Sequence, residues 1–119
     1  MDDLLKEVRI AYEAVSDKKG EDIKVLNISQ ISTIADYFVI ATGSNLSQIR
    51  AMADEVDEKL SKAGLHAKYM EGYQKAEWIL LDFGPIIVHL FNRENREFYD
   101  LERIWADADE VIFEEQEQA

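Results

Sequence analysis

An α+β domain, one mixed β-sheet of about five strands with helices packed mainly on one face, accounts for three features of this 119-residue chain. Apolar residues recur at helical spacing near the start and again in the middle. A continuous β-branched and aromatic run lies between them, and two further apolar runs flank a Gly-Pro pair. With one proline, no internal repeat and no low-complexity linker, no position before about residue 106 marks a domain boundary.

The elements follow in order. Leu4, Leu5, Val8, Ala11, Tyr12 and Val15 form an apolar stripe behind Asp2 and Asp3, which can cap a first helix that stops by Gly20. Ile23 to Ile28 reads as a strand. Tyr37 to Ala41 is aromatic and β-branched without interruption, the pattern of a central strand covered on both faces. After Thr42-Gly43-Ser44, either Ser44 or Asn45 can cap a second helix, whose stripe is Leu46, Ile49, Met52, Ala53, Val56 and Leu60 and whose end is set by Gly64. Leu65 to Glu71 reads as a third strand. Trp78 to Phe83 and Ile86 to Phe91 read as a hairpin across Gly84-Pro85, because Gly suits the first central position of a type II′ turn. A final helix is expected from Asn95 as cap and from Leu101, Ile104, Trp105 and Ala108 at i, i+3, i+4 and i+7; Trp105 and Tyr99 either pack inward, as that context favours, or extend the binding surface. The order is αββαβββα.

Charge narrows the function. The chain has 25 acids against 13 Lys and Arg, a net charge of -12, and no basic run that could displace counterions from a nucleic-acid backbone. Such a field favours a basic protein partner. Asp107, Asp109, Glu110, Glu114, Glu115 and Glu117 crowd the last 13 residues without one base, so residues 1–108 read as the domain and 109–119 as an acidic tail. No apolar run reaches the length of a membrane span, of about 18 residues, and the opening is neither a signal nor a transit sequence; a cytoplasmic location is expected.

A two-residue turn fixes which hairpin side chains share a face. Phe83, Ile86, Leu81, Val88, Ile79 and Leu90 belong to the core side. Asp82, Ile87, Leu80, His89, Trp78 and Phe91 share the other, a mixture of aromatic, aliphatic, carboxylate and imidazole that suits a recognition surface; the competing reading is that a second helix or the chain end covers it. The partner-binding set is therefore Trp78, Leu80, Asp82 and Phe91, with Met70 and Glu71 from the neighbouring strand, Glu71 or Asp82 meeting a partner Arg or Lys.

No catalytic, metal or cofactor site is expected. His66 and His89 share no ligand spacing, Cys is absent, and Asp54, Glu55, Asp57 and Glu58 read as a solvated helix face. Thr42-Gly43-Ser44 ends a strand and opens a helix, where N–H groups could hold a phosphate, and it resembles the Gly-Ser element of nucleotidyltransferases. Those enzymes also need paired carboxylates for two metal ions; here Asp82 stands alone, with Glu71 at the edge of the preceding strand. A nucleotide-binding enzyme is thus one rival reading, and a homodimer through the hairpin face another.

Across residues 4 to 108, Asp36-Tyr37-Phe38-Val39-Ile40, Thr42-Gly43, Gln48, Ala53-Asp54, Glu71-Gly72, Trp78, Asp82, Gly84, Val88-His89, Phe91, Arg96, Tyr99, Leu101-Glu102, Trp105 and Asp107-Ala108 resemble, in order and spacing, the ribosomal silencing factor or Iojap family. Only the tail beyond Ala108 and the Gly84-Pro85 turn depart from its pattern. The resemblance implies a fold similar to a catalytically inactive nucleotidyltransferase. It also implies binding to the large ribosomal subunit through large-subunit ribosomal protein number fourteen, exclusion of the small subunit and lower translation when nutrients are scarce. A role in large-subunit assembly is the neighbouring alternative.

Overall fold

The computed structural model describes residues 4–113. Its elements are α1 (Leu4–Asp17), β1 (Glu21–Asn27), β2 (Tyr37–Thr42), α2 (Leu46–Lys62), β3 (Tyr69–Glu71), β4 (Trp78–Asp82), β5 (Ile86–Phe91), α3 (Arg93–Tyr99), α4 (Leu101–Ile104) and β6 (Asp109–Glu110). The strands form one mixed sheet in the order β3-β4-β5-β2-β1-β6, antiparallel except for the parallel pair β2 and β5. This is the expected α+β class, with six strands rather than five among the described residues.

The sheet has two unequal sides. Val8, Ala11 and Val15 of α1 and Ile49, Met52, Val56 and Leu60 of α2 bury one side together with Val39, Ile79, Leu81, Val88 and Leu90. Removing that much apolar surface from water is the main stabilisation of the fold. The other side is smaller: Leu26, Phe38, Ile40, Ile87 and Phe91 lie under Leu101, with Trp78, Leu80, Trp105 and Ala108 packed around them. All six residues of β2 are buried, as its uninterrupted apolar run requires. Among the described residues no helix is long and apolar enough to cross a membrane.

Several boundaries differ from expectation. Of the two caps open for α2, Asn45 is the one used, its side chain accepting from Gln48 N–H at 2.8 Å, but Leu46 lies outside the buried stripe. The third strand shrinks to Tyr69–Glu71, where Lys68 N–H reaches Asp82 O at 2.7 Å and pairing begins. The single final helix is two: Asn92, not Asn95, caps α3 by accepting from Asn95 N–H, and Asp100 at φ 48° breaks the helix before α4. Asp109 and Glu110, assigned by charge to the acidic tail, add a strand to β1, and Val111 N–H bonds to Val25 O at 2.8 Å. Asp2 and Asp3 as caps, and Glu114, Glu115 and Glu117 of the tail, lie outside the described residues.

The hairpin is as expected. Trp78 faces Phe91, Leu80 faces His89 and Asp82 faces Ile87, while Phe83 N–H bonds to Ile86 O at 2.9 Å across the two-residue turn. Gly84 sits at φ 94°, where a side chain would be strained, and Asp82 Oδ1 accepts its N–H at 2.8 Å.

Candidate functional site

Strand alternation sends Ile79 and Leu81 beneath the long helices and turns Trp78, Leu80 and Asp82 to the other side, where each remains partly exposed. Glu71 pairs with Leu80 and joins them on that side. Gly72, at φ 84°, lets the loop pass against β4, since a Cβ there would lie 2.1 Å from the Trp78 carbonyl oxygen. Glu71, Gly72, Trp78 and Leu80 line a shallow depression of about 240 Å³.

Two members of the expected set sit elsewhere. Met70 pairs with Leu81 and packs against the helix-side core, so it leaves the open face. Phe91 is fully buried beneath Trp78 and Tyr99, at ring-centroid distances of 5.0 and 6.3 Å. It supports the surface from below and offers no contact area of its own. The competing reading, that a second helix or the chain end covers this side, holds for one half: Leu101 of α4 and its C-cap Trp105 close over β2 and β5, Trp105 meeting Phe38 edge-on at 5.3 Å. The half formed by β3 and β4 stays open.

Among the described residues, His89 is one of three buried polar residues on the covered side, with Thr42 and Arg96. Trp78 Nε1–H donates to His89 Nδ1 at 3.2 Å, which assigns the imidazole proton to Nε2, and that atom is buried without a hydrogen-bond partner among the described residues. Burial holds the imidazole neutral, lowering its pKa from 6.5 to about 4. The bond also fixes the indole, so Trp78 meets a partner with its orientation already set.

Arg96 fastens the covering helices. Its guanidinium donates to Thr42 Oγ1 at 2.7 Å, to Asp22 O at 2.6 Å and twice to Glu102 Oε2, at 2.9 and 2.7 Å. Partial burial alone would raise the Glu102 carboxyl, but the Arg96 bonds, its own backbone and the neighbouring positive charges together hold it below the usual range. This clasp positions Tyr99, whose ring lies 4.5 Å from Trp78. Of the two readings open for Tyr99 and Trp105, Trp105 packs inward, while Tyr99 both packs on Trp78 and extends the open surface. Phe98 was missed altogether, although adjacent helical residues point about 100° apart, so a covering Tyr99 leaves Phe98 outward.

The Thr42-Gly43-Ser44 turn is occupied by the chain itself. Gln48 Oε1 accepts from Ser44 N–H and Ser44 Oγ at 2.6 and 3.0 Å, and Gln48 Nε2 donates to Lys18 O and Lys19 O. Gln48 thereby engages the Ser44 N–H and hydroxyl while joining α2 to the end of α1. No group of three or more His, Asp or Glu suited to a metal ion occurs among the described residues.

Comparison with known proteins agrees with this architecture. A family model described as "Ribosomal silencing factor during starvation" matches residues 1–119. The chain belongs to the ribosomal silencing factor family. Its relatives within that family include the ribosomal silencing factor of Halalkalibacterium halodurans, 40% identical over 107 residues that cover 90% of this chain and 92% of the relative. The Bacillus subtilis silencing factor is 41% identical over 101 residues, 85% of this chain and 86% of that one. A crystal structure of a Chromobacterium violaceum protein superposes with a TM-score of 0.85 at 34% identity, covering 89% of this chain and 88% of that one. The sheet with its half-open side is thus the scaffold on which this member of the family carries Trp78, Leu80, Asp82 and Glu71.

Proposed function

We propose that the chain lowers translation by setting the open half of its sheet, Glu71, Trp78, Leu80 and Asp82, against the large ribosomal subunit at large-subunit ribosomal protein number fourteen, where its bulk keeps the small subunit from joining, above all when nutrients are scarce. Family membership over the whole chain carries this reading. The site is consistent with it: a preoriented indole at the centre, aliphatic surface beside it and carboxylates at the margin suit a basic protein, as does the net charge of -12. Action is steric, with no bond made or broken. Asp82 serves twice, closing the hairpin turn through Oδ1 while its carboxylate retains acceptor capacity for a partner Arg or Lys.

The test is titration of isolated large subunits with the full chain and with Trp78→Ala, taking Leu5→Ala on α1, across the sheet, as control. Loss of a central anchor costs about 2 kcal/mol or more, some thirtyfold in affinity. Equal affinity of Trp78→Ala and Leu5→Ala would overturn the assignment.

A further inference from the structure

Helix α3 holds an aromatic ring in solvent that the packing of the domain does not use: Phe98 is 78% exposed. It is not isolated. Its ring meets Tyr99 edge-on with centroids 5.0 Å apart, and Tyr99, 40% exposed, lies 4.5 Å from Trp78. Three rings therefore form one tract from the open half of the sheet onto the outer side of α3.

The charges on α3 say what the far end of that tract would accept. Both arginines of the helix are spent within the fold, Arg93 on Glu21 and Asp22 and Arg96 on Glu102. Glu94 is exposed, makes no ion pair among the described residues, and stands one helical turn before Phe98, the spacing at which side chains are neighbours. An accessible aromatic face beside an unpaired carboxylate attracts a guanidinium through the ring quadrupole and a charge-assisted hydrogen bond at once.

Resting on the docking reading above, we infer that Phe98, Tyr99 and Glu94 form a second anchor, which takes an arginine side chain of the basic protein seated on Trp78 and Leu80. The partner's footprint is a strip running from Glu71 to Phe98, and removing either end weakens it.

The experiment compares affinities of the full chain and its variants for isolated large subunits. Phe98→Ala is expected to bind about tenfold more weakly, between the scales of an exposed and a fully desolvated cation–π contact, and Phe98→Leu equally so, while Phe98→Tyr keeps the affinity. Glu94→Lys is expected to bind more weakly still. The substituted side chains are exposed, and circular dichroism and thermal unfolding check that each variant is folded. Unchanged affinity in Phe98→Ala while Trp78→Ala is impaired overturns the second anchor alone. Full affinity in Phe98→Leu overturns the guanidinium, since greasy surface would then suffice. Tighter binding by Glu94→Lys overturns the basic occupant and points to nucleic-acid phosphate. Unimpaired Trp78→Ala, or no binding by the unaltered chain, overturns the docking reading and this inference with it.

Discussion

His89 links the chemistry of one side chain to the behaviour of the surface above it. In the unfolded chain it takes up a proton near pH 6.5, whereas in the fold it resists until about pH 4. Below pH 6.5 the unfolded state therefore binds more protons, and stability falls as pH is lowered from 6.5 to about 4. A separation of this size corresponds to a loss on the order of 3 kcal/mol over that window. Glu102, whose carboxyl is held below its ordinary range, adds a loss of the same sign at the acid end. Urea unfolding at a series of pH values should show this slope, and His89→Gln should flatten it. An identical slope in the variant would assign the acid sensitivity to other groups. Near neutral pH the imidazole accepts from Trp78; once charged it can only donate, so acid also withdraws the acceptor that orients the indole.

Arg96 does for the element α3 what His89 does for one side chain. Arg96→Ala removes the bonds to Thr42, Asp22 and Glu102 and leaves Glu102 without its partner, a change expected to cost about 3 kcal/mol and to loosen Tyr99 from Trp78. Chemical denaturation reads the first effect and the near-ultraviolet aromatic signal the second; a variant as stable as the parent would show that packing alone holds α3. Elements were legible in the chain to different depths. The hairpin register was readable because a two-residue turn permits one pairing, and alternation then put Trp78, Leu80 and Asp82 on a common face. Met70 was not readable, because its face depends on pairing with Leu81, which no local pattern sets. The broken last helix was hidden for a similar reason: its apolar spacing continues through Asp100, whose left-handed backbone is imposed by the clasp and the packing on either side of it.

At the scale of the molecule, two helices seal one side of the sheet and a short helical segment half seals the other, which leaves a flat aromatic strip within a strongly acidic body. The burial of Phe91 belongs to this scale, since it required Tyr99 to fold back over the strand, and no spacing rule foretells that return. A net charge of -12 acts over distance rather than at contact. Raising monovalent salt from about 0.05 to about 0.3 M is expected to slow association with large subunits about tenfold while leaving dissociation nearly unchanged, as stopped-flow mixing would show. The reverse pattern would place the charge inside the contact. Steric exclusion is read out by subunit joining: large and small subunits are mixed with increasing amounts of the chain and followed by light scattering. Titratable inhibition by the unaltered chain, relieved in Trp78→Ala, is expected; joining that proceeds at full rate while the large subunit is saturated with the chain would contradict steric exclusion.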